Sequence, residues 1–495
     1  MKYISTRDTR TAPNTVSSAE AIKQGLAPDG GLYIPEKFPI ISDGDFDALT
    51  KMNYAERATF VLSRFLDDYD IDLLYDDCEE AYSEKRFPGG PAPMHTIGRD
   101  IFSLELWHGP TSAFKDMALQ IMPRLLSRAL EMTNEEKTIH ILVATSGDTG
   151  KAALEGYSGV KGVKITVFYP VDGVSRMQKL QMQTTLGKNV YVAAVEGNFD
   201  DAQNGVKAIF SDEKLAEKAA ENGFFFGSAN SINWGRLVPQ IVYYVSAYCD
   251  LINSGEIKYG DKINIAVPTG NFGNIFAAYI AMRMGLPVNR FICASNSNNV
   301  LTDFINTGIY DRTREFYKTI SPSMDILISS NLERLIYTLG GAEMTADLMA
   351  QLKENGKYTA PDELMEKIRS RFSGFFMTEE ETADEIKQTW ENENYLIDPH
   401  TAVGLGCVRK YRRATGDETK TVLASTASPY KFAPAVCEAL GIEHSEEGDI
   451  FALLDKLSEK TNTPIPAPLA DAAKLNIRFT EVIPKEDMAE LIFRV

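Results

Sequence analysis

The stretch His108–Asp116, reading His-Gly-Pro-Thr-Ser-Ala-Phe-Lys-Asp, contains the side chain best suited to covalent chemistry. An apolar, strand-like run from Ile101 to Trp107 leads into it, and Met117, Leu119, Ile121, Met122, Leu125 and Leu126 follow at helical spacing. Gly109 and Pro110 break the strand, Thr111 or Ser112 can cap the next helix, and Lys115 then falls in its first turn. A permanent cation is disfavoured there, because the N-terminal end of a helix already carries partial positive charge. Lys115 beside Phe114 therefore suits an amine whose ammonium form is disfavoured and which attacks a carbonyl.

Three more loops gather polar groups. Gly270-Asn271-Phe272-Gly273-Asn274 follows the strand-like Ile263–Val267 and opens a helix. Glycines let the backbone approach a ligand, and free N–H groups at a helix start attract phosphate, although a tight strand-to-helix turn would use the same residues. Neither the Gly-Lys-Ser/Thr of a nucleotide P-loop nor Gly-x-Gly-x-x-Gly spacing is present. Thr145-Ser146-Gly147-Asp148-Thr149-Gly150 ends the run Ile139–Ala144 and offers hydroxyls and backbone donors to a carboxylate. It also reads as a capped helix, with Asp148 or Thr149 at the cap. Asn230-Ser231-Ile-Asn-Trp-Gly-Arg236 combines amides, a hydroxyl and a guanidinium, which suits a dianionic phosphate. Turn-forming asparagines and a surface arginine would leave the same pattern. In Asp398-Pro-His-Thr-Ala402, His400 is either a site residue or part of a helix start, and Trp107 and Trp234 read as core.

The elements that must position these loops begin after Phe87-Pro-Gly-Gly-Pro-Ala-Pro93, a run of breakers that marks a boundary. From there strands alternate with helices: Lys164–Tyr169, Val190–Val195 and Thr421–Ala424 read as strands, Val174–Leu186 and Asp200–Ala220 as helices. That alternation predicts a parallel sheet covered on both faces, with ligands at its carboxyl edge. Residues 305–395 are charged and mostly helical, an insertion or peripheral layer solvated on one side. Thr461–Pro468 reads as a Pro-rich extended segment.

A chain of 495 residues has room for two or three domains. Its formal net charge of −18 argues against nucleic acid or an anionic membrane surface as partner. The five cysteines are scattered, which argues against a metal site and for reduced thiols. No apolar run reaches membrane-spanning length and the amino end lacks a signal-like core, so a cytoplasmic protein is expected.

In sequence and in order, His108–Asp116, Ala144–Gly150, Asn230–Arg236 and Gly270–Asn274 resemble the threonine synthase family of pyridoxal-phosphate enzymes. Tyr3–Arg7 and Gly25–Pro35 resemble that family's leading domain. The resemblance implies an α/β protein: a two-lobed PLP fold type II with parallel-rich open sheets flanked by helices, plus an N-terminal α+β domain. It places that domain at 1–92 and the catalytic region at 93–495, with a smaller lobe at approximately 130–235. It further implies pyridoxal 5'-phosphate as cofactor, O-phospho-L-homoserine as substrate, and γ-elimination of phosphate followed by β-addition of water to give L-threonine. By the same resemblance Lys115 forms the Schiff base, and Gly270, Asn271, Phe272, Gly273 and Asn274 hold the cofactor phosphate. Thr426 faces the pyridine nitrogen and Asp148 lies near the ring hydroxyl. Thr145, Ser146, Gly147 and Thr149 take the substrate carboxylate, and Asn230, Ser231 and Arg236 its phosphate. A monomer or homodimer is expected, with Asp116 a helix-start residue. Ser428 stands where relatives carry His, and Asp148 where more distant members of the fold carry Asn. A dehydratase would not need the Arg236 cluster, whereas a phospholyase acting on a related phosphoamino acid would keep it.

Overall fold

The computed structural model describes residues 1–145, 147–171, 174–445 and 448–495. The first 86 residues fold as helices around a two-stranded antiparallel ribbon, β1 (Tyr3–Ser5) with β2 (Tyr33–Pro35). Its helices Ser18–Gln24, Asp43–Lys51 and Tyr54–Phe65 each start at a capping box, in which Ser17, Ser42 and Asn53 exchange bonds with Glu20, Asp45 and Glu56. Each reciprocal pair satisfies two backbone donors that the helix start would otherwise leave open.

Two sheets follow. The chain contributes β3 (Met94–Ile97), β4 (Ile101–Glu105), β5 (Thr138–Ala144), β6 (Val163–Pro170), β7 (Val190–Val195), β8 (Phe224–Gly227), β9 (Ile263–Pro268) and β10 (Val288–Ser295). Later come β11 (Ile309–Asp311), β12 (Lys357–Thr359), β13 (Phe372–Phe376), β14 (Thr421–Ser425) and β15 (Val482–Ile483). The larger sheet has the order β13-β10-β9-β14-β4-β3, and only the β3–β4 pair is antiparallel. The smaller sheet, β15-β7-β6-β5-β8, is parallel throughout. β9 and β14 are buried along their whole length, which is why they read as continuous apolar runs without alternation. One core joins the amino-terminal helices to both sheets: Trp234, fully buried, packs against Tyr3 and Phe65 at ring distances of 5.5 and 5.7 Å.

Several expectations need correction. Residues 200–220 form two helices, Phe199–Ser211 and Glu213–Glu221, because Asp212 turns extended and caps the second through the N–H groups of Lys214 and Leu215. The stretch 305–395 is more than a helical layer: β13 forms the edge of the larger sheet, with Phe372 opposite Phe291, and β11 and β12 pair with each other. Its long helix Leu332–Asn355 is interrupted at Gly341, where φ is 82°. The smaller lobe also takes in β15 from the carboxyl end, which pairs beside β7. The segment 461–468 is extended only in part, lying between the helices Ile450–Thr461 and Ala467–Ala470.

Candidate functional site

β4 and β14 run parallel, and the loops that leave them continue side by side. Phe114 N donates to the Thr426 carbonyl (2.8 Å), Ser428 N donates to Ser112 O (3.1 Å), and Ala113 bridges to Ala427. This pairing forces Ser112 to a φ of 57° and sets Lys115 immediately before the short helix Asp116–Leu119. The lysine is thus the N-cap residue and not part of the first turn, and neither Thr111 nor Ser112 caps the helix. Thr111 instead donates through N and Oγ1 to the two carboxylate oxygens of Asp116 (2.7 and 2.9 Å), clamping the loop onto the helix start. Asp116 is fully buried, and burial pushes its carboxyl up to about 7.

Lys115 Nζ lies 3.8 Å from Asp148 Oδ2, with 14% of the lysine side chain exposed. Burial lowers its amine to about 8; the Asp148 charge opposes that change, and the cations of Lys431 and Arg236 reinforce it. Asp148 opens the helix Asp148–Tyr157 at the end of β5. Its Oδ1 accepts from Lys431 Nζ (3.0 Å) and Gln178 Nε2 (2.8 Å), and its Oδ2 accepts from Ser323 Oγ (3.3 Å). Burial alone would raise this carboxyl, but Lys431, Lys115 and Gln178 hold it well below the usual carboxylate range.

Neither Asp148 nor Thr149 is the cap of that helix. Gly147 occupies the cap position with a φ of 142°, and a Cβ there would lie 2.3 Å from the Gln178 side chain. Thr145 Oγ1 does the capping from outside, accepting from Gly147 N (2.9 Å) and Gly150 N (3.0 Å). Thr149 is half-buried, and Ser146 lies outside the described residues.

After β9, Gly270 and Asn271 lead to Phe272, a non-glycine residue in the left-handed region (φ 62°), and then to the helix Gly273–Arg283. That helix start has no side-chain cap, so its first N–H groups are available to an anion. The loop is held from behind. Ser329 Oγ donates to Gly270 O (2.7 Å), and Asn331 donates through N and Nδ2 to Asn271 O (3.0 and 2.9 Å). Asn274 accepts from Tyr244 OH, while its buried Nδ2 has no partner among the described residues.

The fourth loop is tied to the third. Asn331 Nδ2 reaches Ser231 O (3.3 Å), and Arg334, fully buried, donates to Ile232 O (2.6 Å) and to Tyr33 O in the amino-terminal domain (2.9 Å). Asn233 caps the short helix Trp234–Leu237 and donates to Ile22 O (2.9 Å), while Asn230 is exposed and Ser231 half-buried. Arg236 is only 5% exposed; Nη1 donates to Ala229 O (2.5 Å), and Nε has no partner among the described residues. Burial lowers its guanidinium to about 10. A buried guanidinium with an unused donor, close enough to Lys115 to influence its charge, calls for a polyanionic ligand.

The loops of Asp148, Arg236 and Thr426 therefore adjoin that of Lys115, and Gly270–Asn274 is tied to the Arg236 loop through Asn331. Sequence reasoning missed Lys431, Gln178, Ser323, Ser329, Asn331 and Arg334. Lys431 carried the same signal as Lys115, a lysine in a loop leaving a buried strand, within the Ser-Pro-Tyr-Lys-Phe run. The others had no local signal. His400 has a supporting role: Nδ1 pairs with Asp398 Oδ1 (2.7 Å), and Nε2 accepts from Ser323 N (3.1 Å). Trp107 is half-buried, stacked on His108 and bonded to Ser425 Oγ (3.1 Å), not a core residue. Among the described residues, no helix is long and apolar enough to cross a membrane.

Comparison with known proteins gives three consecutive family matches. Residues 2–82 match "Threonine synthase N terminus", 88–426 match "Pyridoxal-phosphate dependent enzyme", and 401–492 match "Threonine synthase, C-terminal". The human protein named threonine synthase-like 1 is 40% identical over 441 residues, 87% of this chain and 58% of its own length. The chain thus spans less than two thirds of that relative. Threonine synthase of Saccharomyces cerevisiae is 36% identical over 479 residues, 91% of either chain. A crystal structure of PLP-bound threonine synthase from Brucella melitensis superposes with a TM-score of 0.88 at 35% identity, covering 100% of this chain and 99% of that one.

Proposed function

Since the chain belongs to the threonine synthase family of pyridoxal-phosphate-dependent enzymes, we propose that it converts O-phospho-L-homoserine and water to L-threonine and phosphate. The observation that carries this reading is Arg236: a buried guanidinium with a free donor, next to the lysine, suits a substrate phosphate and has no use in a site for an unphosphorylated amino acid.

The cofactor is pyridoxal phosphate. The residues present fit it. Lys115 would hold its aldehyde carbon, and the uncapped start of Gly273–Arg283, with Gly270, Asn271, Phe272 and the unpartnered Asn274 amide, would take its phosphate. Thr426 would lie at its ring nitrogen and Asp148 near its ring hydroxyl. When bound, it supplies an electron sink next to the amino acid's α carbon.

The chain's own groups do the rest. Lys115, whose amine burial lowers to about 8 so that it sheds its proton more readily, takes a proton from the α carbon and serves the β carbon in turn. The backbone N–H of Thr149 and the hydroxyl of Thr145 hold the carboxylate at the helix start, beside Gly147, whose own N–H is given to Thr145 Oγ1. Arg236, Asn230 and Ser231 hold the phosphate while its bond to the γ carbon breaks, and keep it in place as water adds at the β carbon. Water must stay out until then. Asp148, on the smaller lobe, meets Lys431 and Ser323 from the opposite side, a contact that closes the cleft over Lys115.

A second reading is a phospholyase that releases phosphate without net addition of water at the β carbon. It would use the buried Arg236 for its substrate phosphate in the same way. Purified protein supplied with pyridoxal phosphate and O-phospho-L-homoserine separates the two. Equal amounts of phosphate and threonine support the synthase; phosphate with 2-oxobutyrate and ammonia supports the lyase. Absence of phosphate release overturns both.

A further inference from the structure

One carboxylate at the centre of the site faces two lysines at unequal distances. Lys431 is completely buried; its Nζ lies 3.0 Å from Asp148 Oδ1 and donates to Thr111 O (2.7 Å) in the loop that carries Lys115. Lys115 stands farther off, 3.8 Å from Asp148 Oδ2, an oxygen that Ser323 Oγ also approaches. Asp148 Oδ1 takes a further bond from Gln178, so the best-made ion pair in the cluster belongs to Lys431.

We propose that Lys431 is a positioning residue that occupies Asp148 and thereby leaves Lys115 without a close counter-ion, so that Lys115 holds its proton more weakly. The proposal rests on the reading that Lys115 is the cofactor-bearing lysine. Its physical basis is the cost of burying like charges: Asp148 is the carboxylate that both lysines reach, Asp116 feels the Lys431 charge but has both oxygens bonded by Thr111, and the less well bonded lysine holds its proton more weakly. Proximity of a second cation is an established way to make a lysine nucleophilic. Arg236, on the helix Trp234–Leu237, adds positive charge from another side, while Asp116, on the lysine's own helix, is turned back onto Thr111. Behind Ser323 stand His400 and Asp398, paired with each other. The lowered basicity of Lys115 and the low-lying carboxyl of Asp148 agree with this arrangement.

Two substitutions push the amine in opposite directions. Lys431→Met removes the favoured partner, so Asp148 turns to Lys115 and holds it as an ammonium. Asp148→Asn leaves Lys115 facing only cations. The measurement is competitive acetylation of the full chain freed of cofactor, with the Lys115 peptide followed by mass spectrometry against pH. The expected midpoint is about 8 in the original protein. It should rise by about one pH unit or more in Lys431→Met, stay close to its original value in Lys431→Arg, and fall by about one unit or more in Asp148→Asn. A purely structural role for Lys431 would lower stability without producing shifts of opposite sign. An unchanged or lower midpoint in Lys431→Met overturns the proposal. If that variant does not fold, an unchanged or higher midpoint in Asp148→Asn overturns it equally. Borohydride reduction of the original protein loaded with pyridoxal phosphate checks the underlying reading separately: label absent from the Lys115 peptide removes the cofactor assignment itself.

Discussion

Replacing Arg236 by Met should make the protein more stable and less able to use its substrate. The guanidinium is buried with no carboxylate partner among the described residues, and burial takes it from its ordinary 12.5 to about 10. That difference corresponds to about 3 kcal/mol against the charged form. The sign follows from the direction: below pH 10 the group is charged both folded and unfolded, so the full penalty is present at pH 7 and is relieved only as pH rises through about 10. Met is apolar and follows the arginine stem as far as about Nε, so it removes the penalty, while the Ala229 carbonyl loses its Nη1 donor at a cost of about 1 kcal/mol. A net gain of about 2 kcal/mol, against an unfolding entropy of about 1 kcal/mol per kelvin for 495 residues, raises Tm by about 2 °C. On the proposed function, the same change deletes the buried cation that would face the substrate phosphate. Losing one partner of such a pair costs about 2–5 kcal/mol, a fall in kcat/KM of about 30-fold to several-thousand-fold. Thermal melts at pH 7 and steady-state phosphate release measure the two arms. A lowered Tm together with unchanged kinetics for O-phosphohomoserine would refute the reasoning.

Two further predictions concern the helices beside Lys115. Gly156→Ala places a Cβ 1.9 Å from Leu119 O, so Asp148–Tyr157 must back away from Asp116–Leu119; overpacking of this kind costs about 1–3 kcal/mol. Because those helices carry Asp148 and Lys115 at their starts, melting temperature and cofactor uptake should fall together, and an unchanged Tm would show that the close approach is not obligatory. Asp116→Asn tests the buried carboxyl. Its folded value of about 7 lies above the ordinary 3.8, so the neutral acid's advantage is complete below about pH 4 and is lost as pH rises through 7. Asn reproduces the neutral form and can exchange bonds with Thr111 N and Oγ1, so the variant should gain stability relative to the original as pH rises from 4 to 8, by about 4 kcal/mol at most. A pH-independent difference in denaturant midpoint between the two proteins would contradict it.

The parts of the site legible in the sequence are those written locally. Lys115, Asp148, Arg236 and Gly270–Asn274 each sit in a short run of breakers and polar residues after an apolar strand. The groups that hold them were hidden because their partners are remote in sequence. Ser323 and Ser329 act through single bonds to Asp148 and Gly270 and Asn331 through two to Asn271, and all three come from a stretch whose charge pattern reads as a solvated surface. The capping of Lys115's helix was misplaced for a related reason: local rules favour Thr111 or Ser112, but pairing of residues 112–114 with 426–428 delays the helix until Asp116. β15 escaped notice because two residues carry no period. Lys431 was visible as a residue type and invisible as a partner, since its role exists only once Asp148 is beside it.

The central claim is that phosphate leaves from carbon and water then adds at the neighbouring carbon. Turnover of O-phospho-L-homoserine in heavy-oxygen water, with threonine and phosphate analysed by mass spectrometry, tests it most directly. The account predicts one solvent oxygen in the β-hydroxyl of threonine and none in the released phosphate, because the bridging oxygen departs with phosphorus. Heavy oxygen in the phosphate accompanied by homoserine, or phosphate released without labelled threonine, would contradict it.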